Sequence, residues 1–239
     1  TKRQFTGDEI GGIKFHAAID VTIKNNRIHD SGRGIWLDWM TQGTRVSGNL
    51  FYNNDMEDLF LEVNHGPFIV DNNIFLSPNS IRTQSEGGAF AHNLITGLIF
   101  NYPEPNRFTP YFLPHSTAIA GLTTIYGGDD RYFNNIFIGS GEKAENNKYK
   151  HGLEGYNNTK LMVWISDNLY YNGANPSVKD TNFVNSPGYD PEIKLVEDGD
   201  HVYLHFVPDM AYFGHKVKII TTGILGKAKI PKAEFDSPD

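Results

Sequence analysis

The sequence predicts an all-β fold: a right-handed parallel β-helix with three short strands per coil, followed by a small antiparallel β appendage at the C-terminus. Three observations predict it. A motif of the form apolar, two residues, Asn, one residue, apolar recurs six times, and its first three intervals are 23, 24 and 20 residues. Between the motifs lie short β-branched and aromatic runs, with no amphipathic helix of useful length. The last of the 23 asparagines is Asn185, so the final stretch has a different character.

The motif copies centre on Asn26, Asn49, Asn73, Asn93, Asn135 and Asn168. A period of 20 to 25 residues with strand-like pieces is the mark of a solenoid. A leucine-rich repeat is excluded because its L-x-x-L-x-L frame is absent, and a hexapeptide helix because its tighter code is absent. Asparagine suits a coil turn for two reasons. It tolerates the left-handed conformation, and its amide can hydrogen-bond to the next coil, building a ladder. The interval of 42 residues that follows Asn93 is about two repeats, or one with a long insertion.

The turn-rich segment Asn185-Ser-Pro-Gly-Tyr-Asp-Pro191 marks a boundary. Residues 1–190 are read as the β-helix and residues 191–239 as the appendage. In the latter, residues 192–206 form two alternating strands around an Asp198-Gly199 turn, and Lys216–Thr221 is expected to be a further strand.

Stacking turns register into chemistry. Gly12-Ile-Lys-Phe-His16, Gly34-Ile-Trp-Leu-Asp38 and Asp58-Leu-Phe-Leu-Glu62 align at offsets of 22 and 24 residues. Strand alternation then sends Ile13, Phe15, Ile35, Leu37, Leu59 and Leu61 inward. Lys14, Trp36 and Phe60 form one outward column, and His16, Asp38 and Glu62 the next. Neighbouring strands are about 4.8 Å apart, so Asp38 and Glu62 project side by side. Retaining glycosidases hold two carboxyl groups about 5–5.5 Å apart, one as nucleophile and one as acid/base. The apolar residues around these acids (Leu37, Trp39, Met40, Leu61, Val63) argue against an ordinary solvated face. Trp36 and Phe60 are expected to offer an aromatic face to a sugar ring. Glu86, 24 residues beyond Glu62, falls near the same column.

Composition removes other classes. A net charge of −7 opposes phosphate binding, so nucleic acid is not expected as a partner. The absence of cysteine removes disulfides, thiolate metal sites and a cysteine nucleophile. No apolar run approaches the roughly 18 residues of a membrane span, so no membrane partner is expected. The compartment is left open, and so is homo-oligomerisation.

Three strings carry a family resemblance: Glu9-Ile-Gly-Gly-Ile-Lys-Phe-His16, Gly34-Ile-Trp-Leu-Asp38-Trp-Met, and Asp58-Leu-Phe-Leu-Glu62-Val-Asn-His65-Gly. Together they resemble glycoside hydrolase family 120, bacterial β-xylosidases that act with retention on xylo-oligosaccharides. The likeness runs through most of the first 120 or so residues, including the insertion string Arg107-Phe-Thr-Pro-Tyr-Phe-Leu-Pro-His115. It implies Asp38 as nucleophile and Glu62 as acid/base, the pair that stacking selects. It also implies Glu9 as a substrate-binding residue, with His65, Arg107 and His115 in the pocket by position; His16 joins them as a hydrogen bonder. Asp8 stands where relatives are expected to carry histidine. The Pro- and aromatic-rich insertion between Asn93 and Asn135 is expected to overhang the acids as a wall.

The resemblance implies a longer protein, with this chain its C-terminal portion and the missing N-terminal portion a partner. The expected ligand is a xylo-oligosaccharide or related small glycoside. No cofactor is required and no metal site is read, although a structural calcium ion is left open. Two other classes stay in view. One is a β-helix polysaccharide lyase or epimerase, disfavoured because Lys14 is read as the sole Lys or Arg in the outward columns. The other is a noncatalytic carbohydrate-binding β-helix.

Overall fold

A computed structural model describes residues 9–141 and 149–236. They wind as a right-handed parallel β-helix in which each coil sends one strand to each of three sheets. The first sheet stacks Ile13–His16, Ile35–Asp38, Glu57–Glu62, Asn79–Gln84 and Leu98–Asn101 in parallel, with Tyr149–Lys150 antiparallel at its end. The second stacks Thr22–Lys24, Thr44–Ser47, Phe68–Asp71, Gly88–Ala91, Arg131–Phe133 and Trp164–Ser166. The third runs from Arg27–His29 through Leu50–Tyr52, Ile74–Phe75, Leu94–Ile95, Ile136–Ile138 and Leu169–Tyr171 to Val184–Ser186.

The expected asparagine ladder is present between the second and third sheets. Asn26 Nδ2 donates to Asn49 Oδ1 at 2.9 Å, Asn49 to Asn73 at 3.0 Å, Asn73 to Asn93 at 3.1 Å, Asn93 to Asn135 at 3.0 Å and Asn135 to Asn168 at 3.1 Å. The two tasks assigned to asparagine fall on adjacent positions. The left-handed residue is the one before each ladder Asn: Asn25, Gly48, Asn72, His92, Asn134 and Asp167, with φ between 55° and 66°. The ladder residue itself satisfies backbone groups of the preceding coil, as Asn73 does for the Asn49 N–H and the Val46 carbonyl, a job that its buried amide performs in place of water.

Inside the coil, alternation fills the core as expected. Ile35, Leu37, Leu59 and Leu61 are buried, and Ile13 and Phe15 pack against them at the first coil. Aromatic rings stack from coil to coil, Phe51 on Phe75 at 4.8 Å and Phe90 on Tyr132 at 4.4 Å. Each such fully buried ring contributes about 1.5–3 kcal/mol over leaving it in water.

The tail begins with the expected hairpin, Lys194–Asp198 paired antiparallel with His201–His205 across Gly199. It packs along the outer face of the third sheet, where Leu204 and Phe206 meet Leu94, Ile138 and Tyr171, instead of on the last coil. Glu197 reaches as far as Tyr52, which donates to it at 2.7 Å. Lys216–Thr221 is not a strand; it runs without ladder bonds to a single helical turn, Thr222–Leu225. The following segment docks on the second sheet, with Leu225, Ala228 and Phe235 against Ala89 and Phe133. Among the described residues, no helix is long and apolar enough to cross a membrane.

The insertion after Asn93 forms a two-stranded arm, Glu104–Phe112 paired antiparallel with Ile119–Ile125. It lies over the turns that follow the strands of the first sheet. Gln42 grips the Phe112 peptide at both ends, each bond 3.1 Å. His65 Nε2 meets the Thr109 carbonyl at 3.1 Å, and Glu86 accepts from the Tyr126 amide at 2.9 Å.

Candidate active site

The first sheet pairs His16 with Asp38, Trp36 with Phe60 and Leu37 with Leu61. One residue further, Asp38 and Glu62 stand on adjacent strands of the outward face. The Glu62 side chain bears on the ionisation of Asp38. Asp38 is 7% exposed. Its Oδ1 accepts from the Trp39 amide at 2.7 Å, and its Oδ2 lies 3.0 Å from Lys14 Nζ. Burial pushes the Asp38 carboxyl up, but the Trp39 amide, the Lys14 ammonium and the neighbouring Glu62 side chain outweigh it and hold it below the usual aspartate value.

Glu62 has two further partners. Trp36 Nε1 donates to its Oε2 at 3.0 Å, and Arg107 Nη1 lies 2.7 Å from its Oε1. Arg107 belongs to the arm, and its guanidinium also sits 5.4 Å from the Trp39 ring centre. The insertion therefore delivers a cation to the acid pair, as the expected wall would.

Lys14 is the residue that sequence reasoning undervalued. It bridges Asp38 and Glu9 and rests 3.6 Å over the Trp36 ring. Partial burial works against its charge, but Glu9 and Asp38 outweigh that and raise its pKa above the usual lysine value. Its signal was in the alignment: it precedes His16 by two residues and pairs with Trp36, so it shares a face with Asp38. Glu9 enters the site through Lys14. His16 is exposed beside Asp38, edge-on to Trp39 at 5.6 Å.

Several expectations need correction. Trp36 and Phe60 are 4% and 3% exposed and offer no open face to a sugar. Cations cover them: Lys14 and Arg33 lie over Trp36, and Arg82 is 4.4 Å over Phe60. Arg82 pairs with Phe60 in the sheet, so Lys14 is not alone as a cation in its column. Glu86 is not the next residue after Glu62; Gln84 is, because that coil repeats after 22 residues. Glu86 lies buried in the following turn, against His65 at 3.3 Å. Both residues face the arm's backbone and hold it from beneath. His115, at the arm's tip, is tied to Asp20 and Asp236 and has no contact with the acids. Asp8 lies outside the described residues. Among those described, no group of three or more His, Asp or Glu side chains gathers to hold a metal ion.

Comparison with known proteins agrees with the fold. Residues 2–98 match the family described as the right handed beta helix region. No curated protein matches the chain. The chain is similar to the solved structure of XylC in complex with xylose, at 42% identity and a TM-score of 0.89 over 99% of its length. It spans 40% of the length of that XylC chain.

Proposed function

We propose that this chain carries the catalytic acids of a retaining glycoside hydrolase, an exo-acting β-xylosidase that releases xylose from xylo-oligosaccharides and resembles glycoside hydrolase family 120. One observation carries the reading: Asp38 and Glu62 stand side by side on neighbouring strands of one outward face, and Asp38 is held as a carboxylate. Inverting enzymes separate their carboxyl groups by about 6.5–9.5 Å to admit a water molecule, whereas side chains on neighbouring strands, about 4.8 Å apart, match the shorter separation of retaining enzymes. Support for a pentose comes from the likeness to XylC, whose structure holds xylose.

In the first half-reaction Asp38 attacks the anomeric carbon, the glycosidic C–O bond breaks, and Glu62 gives its proton to the departing oxygen. The product is a glycosyl ester on Asp38. In the second half Glu62, now a carboxylate, takes a proton from water. The water oxygen bonds to the anomeric carbon and Asp38 leaves, so configuration is retained. Arg107 is positioned to balance the Glu62 carboxylate during this half. A lyase or epimerase would need an uncharged base beside free cations. Lys14 is kept charged by Glu9 and Asp38, while Arg82 and Arg107 each pair with a glutamate.

Replacing Asp38 by Asn is expected to abolish turnover of an aryl β-xyloside. Glu62→Ala should lower it by roughly 10²–10⁴-fold, with azide restoring activity as a β-xylosyl azide product. Full activity in Asp38→Asn, or sugar binding without turnover in the unaltered protein, overturns the reading. An ultraviolet-absorbing unsaturated product would assign the site to a lyase.

A further inference from the structure

The acid pair lies inside a longer polar column. On the outward face of the first sheet, His16 stands beside Asp38, and Gln84 beside Glu62. Thr83 pairs with Asn101, and the Tyr102 amide donates to the Thr83 carbonyl at 3.1 Å, so Tyr102 takes the rung after Gln84. The order His16, Asp38, Glu62, Gln84, Tyr102 thus climbs the helix in steps of about 4.8 Å. That step is close to the length of one pyranose unit in an extended chain.

The two upper rungs are built as a hydrogen-bonding array. The Tyr102 hydroxyl donates to Glu104 at 2.9 Å and has the Gln84 carboxamide beside it. The neighbouring Glu104 carboxylate, and then desolvation, hold the phenol above the usual tyrosine value, so it stays an uncharged donor. The Phe100 ring fixes the Tyr102 ring, stacked at 5.4 Å and 14°. Tyr102 and Glu104 are half-buried, and Gln84 is 7% exposed.

Displacement chemistry supplies a direction. Nucleophile, anomeric carbon and departing oxygen must lie near one line, with the proton donor at the departing oxygen. If Asp38 attacks and Glu62 donates, that line climbs the column from Asp38 towards Glu62. The departing sugar then continues onto the rungs of Gln84 and Tyr102. The ring under attack lies on the Asp38 side, with Lys14 and His16.

Resting on the function proposed above, we infer that Gln84, Tyr102 and Glu104 form the binding site for the departing sugar unit. The array offers an amide that donates and accepts, a phenol oxygen that accepts and a carboxylate that accepts. These match the vicinal hydroxyls of a neutral pyranose.

The test compares two substrates. An aryl β-xyloside has a departing group without hydroxyls, whereas xylobiose presents a full sugar. In Gln84→Ala and in Tyr102→Phe, kcat/KM on xylobiose is expected to fall about tenfold more than on the aryl xyloside, the equivalent of one lost hydrogen bond. Tyr102→Phe keeps the ring and its stack, so it decides the matter if Gln84→Ala does not fold. Equal losses on both substrates, or no loss on xylobiose, overturn the inference while the glycosidase reading stands. An unaltered protein that cleaves neither substrate overturns both.

Discussion

At Asp38 the ionised form is held by a cation that performs no bond-making step. Lys14 touches the carboxylate at 3.0 Å and is itself fixed by Glu9 and by the Trp36 ring. Removing the charge while keeping the stem, as in Lys14→Met, lets burial raise the Asp38 pKa. Because the native value is depressed, Asp38 remains a carboxylate as pH falls through the usual aspartate range; in the variant it is protonated at higher pH. The acidic limb of kcat/KM on an aryl xyloside is therefore expected to move to higher pH, with a larger loss at pH 5 than at pH 7. The same linkage affects stability. A depressed carboxylate stabilises the fold above its unfolded pKa of about 3.9 and loses that contribution as pH falls through the folded value. A pH–rate profile of Lys14→Met with an unmoved acidic limb would remove Lys14 from this role. The two acids were legible because their strands alternate cleanly. Gln84 was not, because its strand reads Asn-Ser-Ile-Arg-Thr-Gln: Thr83 points inward at 1% exposure, and a polar inward residue erases the alternation that marks register.

At the scale of the coil, the turn between the second and third sheets divides its work between neighbours. Asn73 Oδ1 accepts from both the amide and the side chain of Asn49, and its Nδ2 donates to the Val46 carbonyl at 2.9 Å. Asn73→Ala removes these bonds from the buried Asn49 N–H and Val46 carbonyl, and is expected to cost on the order of 3 kcal/mol in urea denaturation. Asn25, exposed and left-handed at φ 58°, serves backbone geometry. Asn25→Gly is expected to stay within about 0.5 kcal/mol. Comparable losses at the two sites would mean that conformation, not the ladder, stabilises the stack. The ladder was visible in the sequence because coil pairing demands one amide per turn. The coil lengths were not, since a turn can gain or lose residues without disturbing the pairing on either side. That freedom is why counting 24 residues from Glu62 reached Glu86 and missed the sheet position by two.

The whole molecule explains what no local pattern could show: how a distant insertion reaches the acids. Successive coils each contribute one hold on the arm from the turn after the first sheet, namely Asp20 to His115, Gln42 to Phe112, His65 to Thr109 and Glu86 to Tyr126. Pinned in this way, the arm lies along the helix with Arg107 against Glu62. The pins are side chains scattered 20 or so residues apart, and only the stacking of coils brings them into line. Gln42 is the most informative to remove, because it satisfies both the N–H and the C=O of Phe112 and is buried. In Gln42→Leu both groups lose their partner, which lowers the free energy of opening the arm by about 2 kcal/mol and raises the open fraction roughly 30-fold. Limited proteolysis is expected to cut between residues 104 and 125 correspondingly faster, while the urea midpoint of the helix shifts little because its core is untouched. Turnover of an aryl xyloside should fall with it, since an open arm withdraws Arg107 from Glu62. An arm equally protected in Gln42→Leu would mean that the remaining three holds suffice, and the coil-by-coil pinning would then lose its energetic basis.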